Sequence, residues 1–204
     1  MQDWFFVSAL LLFGLFLPAL ALFFLASMLR SIIAGAPYVP VSQKLIPNLL
    51  KFGGLVSSDV LLDLGCGDGR VLISGVENFH VNKAIGYDIA LWPLLKAQFL
   101  IRRRELNKNI KIFRKNCFKA DIGDATFIFL YLFPKLIDKL AYKIAAETKD
   151  GIKVLSLGFP INIEKHPEFR MISFKPIENI TVYLYEIKKP LMALDIEREQ
   201  RGIV

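Results

Sequence analysis

The chain is poor in the residues that most often build metal centres and covalent active sites. It holds two cysteines, Cys66 and Cys117, and two histidines, His80 and His166, all far apart and without a Cys-x-x-Cys spacing. This excludes a zinc framework and a disulfide scaffold, leaves a histidine-based triad nothing to build on, and gives no reason to expect a metal. Acidic residues are outnumbered, 19 against 26 Lys and Arg, for a net charge of +7. Charge of either sign is missing from Trp4 to Leu29, 26 positions without Asp, Glu, Lys, Arg or His. No basic residue precedes Arg30, so the positively charged start of a secretory signal peptide is absent too.

That uncharged run is long enough to cross a bilayer, because roughly 20 helical residues span a hydrocarbon core of about 30 Å. Ser8 and Ser27 are its polar positions, and Pro18 sits near its middle, where a lipid-embedded helix tolerates a kink. The sequence therefore predicts one transmembrane helix within residues 1–30. Asp3 lies before it and Arg30, Lys44 and Lys51 after it, which places the C-terminal domain on the cytosolic, or equivalent positive-inside, face. All 26 basic residues and 18 of the 19 acids fall at or after Arg30, so that part carries +8. Such a domain is drawn to anionic headgroups. Because the basic residues are scattered rather than clustered, the membrane is the expected partner and nucleic acid is not.

A Pro- and Gly-containing link, Gly35 to Pro40, leads into alternating strand and helix signals. Short apolar runs at Asp59–Leu64, Ala84–Asp88, Ile110–Arg114, Thr126–Leu132 and Lys153–Leu157 predict buried strands. Helices are predicted between them at Leu91–Leu106 and, with a proline at its first turn and Gly151 beyond its end, at Pro134–Thr148. This order implies an α/β fold with a parallel sheet and ligands at the carboxyl ends of the strands. Phe169–Lys175 and Thr181–Ile187 follow with a connection, Pro176 to Ile180, too short for a crossover, so they predict an antiparallel closing hairpin. The domains are read as a transmembrane anchor at 1–30, a linker and N-terminal helix at 31–54, a catalytic domain at 55–190 and a tail at 191–204.

The most specific signal is Asp63-Leu-Gly65-Cys66-Gly67-Asp-Gly69-Arg70, a strand that ends in an acid and enters three alternate glycines. Glycine suits a sharp turn with φ > 0 and lets a ligand approach the backbone. A nicotinamide dinucleotide site wants a third glycine where Arg70 stands. Asp88, at the end of the next strand, can accept both hydroxyls of a ribose in either ligand class. Asp63 separates the two classes: an acid ahead of the loop can bind an ammonium group, which S-adenosylmethionine has and nicotinamide cofactors lack.

On these residues the chain resembles the class I S-adenosylmethionine-dependent methyltransferases. Asp63 to Gly69 matches their first motif, Gly86-Tyr-Asp88 their second, and the hairpin their antiparallel seventh strand. The resemblance implies a Rossmann-like seven-stranded sheet over about residues 55–187. Pro37-Tyr-Val-Pro40, the glycine loop and Leu130-Tyr-Leu-Phe-Pro134 are more narrowly similar to the membrane-anchored lysine methyltransferases that modify the mitochondrial ATP synthase c-subunit and the adenine nucleotide translocase. That resemblance implies S-adenosyl-L-methionine as the cofactor. Asp63, Gly65 and Gly67, with Cys66 between the glycines, would hold its methionine end, and Asp88 its ribose. Asn116 stands where an acid is common. Its amide oxygen can still accept from the adenine amino group, beside a backbone donor and an apolar wall from Cys117 and Phe118.

Methyl transfer is an in-line displacement that needs alignment and exclusion of water rather than a metal or covalent residue. A lysine acceptor must lose its proton, which an aromatic-lined, desolvated channel promotes. Tyr131, after the fourth strand, is the expected catalytic aromatic, with Phe133 beside it and Tyr38 able to close from the preceding loop. Where methyltransferases of adenine in nucleic acid carry Asn-Pro-Pro-Tyr or Asp-Pro-Pro-Tyr, this chain has Leu-Tyr-Leu-Phe-Pro. Arg102, Arg103 and Arg104 read as solvated helix surface or as a lipid or partner contact, and Asp68 and Asp121 as caps, turn residues or ligand contacts. Three functions follow from these readings. They are a membrane-anchored protein-lysine N-methyltransferase acting on an integral membrane protein, a methyltransferase for a lipid or lipophilic small molecule, and a non-catalytic cofactor-binding scaffold. Intact glycines and both acids argue against the last.

Overall fold

A short buried strand that runs into a glycine turn organises the molecule. In the computed structural model, which describes residues 13–26 and 40–189, that strand is β1 (Val60–Leu64), buried on both faces from Leu61 onward. Two helices precede it, α1 (13–26) and α2 (Ile46–Phe52). After β1 the chain turns into helix α3 (Arg70–Phe79) and returns as β2 (Lys83–Asp88), parallel to β1. Helix α4 (Leu91–Arg103) then leads to β3 (Ile110–Arg114), parallel to β2 at the sheet edge. The next strand, β4 (Phe127–Leu130), lies on the other side of β1, and α5 (Pro134–Glu147) carries the chain to β5 (Lys153–Leu157) beside it. Winding therefore reverses between β1 and β4, the place where an open α/β sheet leaves a crevice at its carboxyl ends.

The closing hairpin is β6 (Phe169–Ile177) and β7 (Ile180–Ile187). β7 inserts antiparallel between β5 and β6, so the seven strands run in the order β3-β2-β1-β4-β5-β7-β6. The sequence predicts strands that stop at Lys175 and resume at Thr181. Pairing instead continues through Pro176 opposite Thr181 and Ile177 opposite Ile180, leaving a two-residue turn in which Glu178 has φ 52°. Proline is accepted there because β6 is an edge strand.

Two apolar cores flank the sheet. Leu61, Phe127 and Phe129 face one side with α2, α3 and α4; Leu62, Ile128 and Leu130 face the other with α5. The alternation along β1 and β4 is the period-two geometry of a strand covered on both faces. Close approach needs glycine at Gly86, where a Cβ would lie 2.6 Å from Leu72 and 2.7 Å from the sulfur of Cys66. Helix α4 ends three residues before its predicted limit, because Glu105 turns to φ 59° and Leu106–Lys108 tighten into a 3-10 turn. Pro93 does not break it, since the first-turn N–H groups have no intrahelical acceptor to lose.

The side chains of α1 are all exposed. The ring of Phe24 packs edge-on against Trp92 of α4 at 5.1 Å between centroids. Among the described residues no helix is long and apolar enough to cross a membrane. The described part of α1 spans about 21 Å against a hydrocarbon core of about 30 Å. The remainder of the expected span, residues 4–12 and 27–29, lies outside the described residues, as do Tyr38 and the tail at 191–204.

Candidate cofactor-binding and active site

Gly65, Gly67 and Gly69 have φ of 97°, 52° and 74°, values that L side chains rarely adopt, so the loop after β1 is tightly curled. Its first amides point at the next strand: Gly65 and Cys66 N–H both donate to the Tyr87 carbonyl, at 2.8 and 3.1 Å. Gly67 N–H donates to Asp88 Oδ2 and Ala90 N–H to Asp88 Oδ1, each at 2.8 Å. The Asp88 carboxylate is thus gripped through both oxygens at the end of β2. Burial raises its pKa, against the pull of these backbone donors.

Asp63, between Leu62 and Leu64 on β1, is the more unusual group. It is 3% exposed and its pKa is pushed well up, first by burial and then by the nearby carboxylates of Asp88 and Asp68. Every influence acts in the same direction, and no donor among the described residues offsets them. A buried carboxylate facing a cavity under these conditions is stabilised by a cation that enters from outside.

Asp68 is as deeply buried but differently placed. Burial works to raise its pKa, yet Arg70 and Lys96 outweigh that and hold it far below the usual range. Arg70 grips it through Nε at 2.7 Å and Nη2 at 2.6 Å, and Lys96 through Nζ at 2.9 Å. Arg70 also donates to the Val41 carbonyl, fastening the segment ahead of the domain to the glycine loop. Asp68 is therefore a structural anchor of the loop. Asp121 is a turn residue, accepting from Gly123 N–H, while its carbonyl accepts from the Tyr87 hydroxyl at 3.2 Å.

A cavity of about 160 Å³ lies at the carboxyl ends of β1, β2 and β4. All eight expected site residues reach it: Asp63, Gly65, Cys66 and Gly67 from β1 and its loop, Asp88 from β2, Asn116 and Cys117 after β3, and Tyr131 after β4. Asn116 carries a local duty as well, because its Oδ1 accepts from Phe118 N–H at 3.0 Å and caps the turn Cys117–Lys119. Phe118 N–H is consequently committed to that cap. Burial raises the thiol pKa of both Cys66 and Cys117, so neither is an activated nucleophile. Tyr131 stands beside Gly158, whose φ is 81° and where a Cβ would come within 3.5 Å of the tyrosine ring. Phe133 is exposed and pairs with Phe159 at 6.1 Å.

Sequence reasoning missed Val41, Lys115 and Leu136 as cavity walls, and Arg70 as the clamp on Asp68. The signal at Arg70 is its place where a dinucleotide loop has a third glycine, which marks a side chain with a duty of its own. In the three-arginine cluster, Arg104 pairs with Glu77 while Arg102 and Arg103 are exposed.

The cavity suits S-adenosylmethionine on its own chemistry: a buried carboxyl group with no cationic partner among the described residues for an ammonium group, a fixed carboxylate for a ribose diol, and apolar walls. Residues 63–168 match the family described as the ANTKMT methyltransferase domain. A protein-lysine N-methyltransferase of Saccharolobus islandicus is 32% identical over 157 residues, covering 77% of this chain and 97% of its own. The adenine nucleotide translocase lysine N-methyltransferase of Mus musculus is 28% identical over 126 residues, and the match covers 61% of this chain and 54% of the mouse protein. Among solved structures, an RNA methyltransferase from Salinibacter ruber in complex with S-adenosyl-L-homocysteine superposes with a TM-score of 0.69 at 25% identity, covering 76% of this chain and 97% of that one. With the glycine loop, both acids and the sheet order in place, these matches settle the class: the chain belongs to the ANTKMT methyltransferase domain family and is an S-adenosylmethionine-dependent methyltransferase.

Proposed function

We propose that this methyltransferase modifies a lysine ε-amine of an integral membrane protein, held at its target by an N-terminal membrane anchor. The observation that carries the reading is the aromatic and apolar wall that Tyr131 and Leu132, after β4, and Leu136, in the first turn of α5, give the cavity, which this reading assigns to the acceptor. Such a wall disfavours the ammonium form of an entering lysine and leaves the free amine that must attack. The relatives named as lysine N-methyltransferases support the same acceptor.

S-adenosylmethionine supplies, when bound, a methyl group made electrophilic by its sulfonium. In this reading Asp63 pairs with the ammonium of the cofactor's methionine end, and the backbone of Gly65, Cys66 and Gly67 packs along it. Asp88 accepts from the ribose hydroxyls with a carboxylate already oriented by Gly67 and Ala90. Asn116 and Cys117 border the adenine. Tyr131 lines the lysine's path and keeps water from the line of transfer. The lysine's proton is lost to solvent before transfer, so the site needs no strong general base.

The anchor reading is supported by the uncharged run Trp4–Leu29 and by the apolar, exposed side chains of α1, which water does not favour. Arg30, Lys44 and Lys51 support a domain on the positive-inside face. The test is transfer of radiolabelled methyl into a membrane fraction by the full chain, followed by separate extraction of protein and lipid. Label in protein supports the lysine reading; label confined to lipid replaces it with the lipophilic small-molecule acceptor.

A further inference from the structure

Helix α4 divides its apolar residues between two faces. Leu94, Ala97 and Ile101 are buried against the sheet, while Trp92, Leu95 and Phe99, at spacings of three and four, stand 49%, 45% and 62% exposed on the outside. Spacing of this kind places the three on one stripe, and large exposed apolar stripes mark contact surfaces. The stripe leads to Arg102 and Arg103, which are exposed and make no ion pair among the described residues. At its other end Trp92 receives the ring of Phe24, near the end of α1 that leads to Arg30.

These observations identify one occupant. A helix that is apolar all round, as α1 is, belongs in lipid, and the level at which such a helix leaves the bilayer is where tryptophan rings settle. Trp92 touches α1 at that end. The side chains that continue from it are apolar and then cationic, the order in which an interfacial helix meets acyl chains and anionic headgroups. We propose that the outer face of α4 lies on an anionic bilayer surface, with Trp92, Leu95 and Phe99 inserted at the acyl boundary and Arg102 and Arg103 on phosphate headgroups. The proposal rests on the membrane-anchor reading and goes beyond it, because a single span fixes distance from the membrane but not the domain's orientation. Docking on α4 does fix it: the helix begins directly after Asp88, Ile89 and Ala90 of the cavity wall, so the site is held at the membrane surface.

The test uses the full chain in phosphatidylcholine and phosphatidylglycerol vesicles containing brominated lipid, which quenches only tryptophans that reach the acyl region. Trp4 and Trp92 are the two tryptophans, so Trp92→Phe reports the anchor and Trp4→Phe reports α4. A third protein lacks both and carries Phe99→Trp, about 10 Å further along α4 and away from the contact with Phe24. Docking predicts quenching of all three, with loss of the signal at position 99, but not at Trp4, on Leu95→Glu or on replacing phosphatidylglycerol by phosphatidylcholine. Quenching of Trp4 with none at position 99 overturns the docking face and leaves the anchor standing. Quenching of none overturns both. Protection of position 99 from aqueous iodide without quenching by brominated lipid means a protein covers the stripe, and overturns the bilayer as its occupant.

Discussion

Gly67 N–H donates to Asp88 Oδ2 at 2.8 Å, joining the glycine loop after β1 to the end of β2 across 21 residues. The contact makes the loop's curl and the carboxylate's orientation one property: the acid proposed to hold a ribose also holds the loop that would meet the methionine end. Charge-assisted hydrogen bonds of this kind contribute about 1.5–3 kcal/mol, so Asp88→Ala should weaken S-adenosylmethionine binding by roughly tenfold to a hundredfold. Calorimetric titration of the full chain in detergent measures this. Unchanged affinity would remove Asp88 from the cofactor site.

Asp63 gives a prediction with opposite signs for stability and binding. Its folded-state pKa lies well above the unfolded value, so the folded protein holds the extra proton between the two. Stability of the cofactor-free protein therefore falls as pH rises from the ordinary aspartate range toward the raised value. Asp63→Asn should remove that fall and raise the melting temperature of the cofactor-free protein at neutral pH, while weakening S-adenosylmethionine binding. Thermal melts across pH, with and without cofactor, test both halves. A variant that is less stable at neutral pH and binds as tightly would contradict the role.

Asp68 should behave in the reverse sense. Its pKa is held far down by Arg70 and Lys96, so its contribution is complete above the ordinary aspartate range and is lost as pH falls through and below that range. Asp68→Ala leaves both cations without this partner and should cost about 1–3 kcal/mol at neutral pH. Urea unfolding at neutral and acidic pH should find the difference between parent and variant shrinking as pH is lowered.

Tyr131 borders the cavity after β4 and is proposed to face the acceptor, so Tyr131→Ala should lower turnover by more than it weakens cofactor binding. Tyr131→Phe keeps the apolar wall and should retain most of the rate if desolvation is the ring's contribution. Equal losses in turnover and affinity for Tyr131→Ala would instead make the residue part of the cofactor pocket. Single-turnover rates beside calorimetric affinities separate the outcomes.

Much of the fold was legible because its physical signals are local. A parallel strand buried on both faces reads as an apolar run, and β3 and β5 occupy their expected spans. The glycine loop was legible because few backbones other than a tight strand-to-helix turn use three alternate glycines. The continuation of the hairpin past Pro176 was hidden, since a proline argues against a strand unless the strand is known to lie at an edge, and edge position is a property of the assembled sheet. Arg70 was hidden for a related reason: its clamp on Asp68 also needs Lys96 from α4 and the Val41 carbonyl, which only the tertiary fold brings together. The commitment of Asn116 to capping likewise appears only with the turn it caps.

The most direct test of the central claim is the chemical identity of the methylated product. Membranes incubated with the full chain and radiolabelled S-adenosylmethionine are extracted into protein and lipid, and the protein is hydrolysed to amino acids. The account predicts label that co-migrates with methylated lysine, dependent on Asp88. Label found only in the lipid extract, or in an amino acid other than lysine, would contradict it.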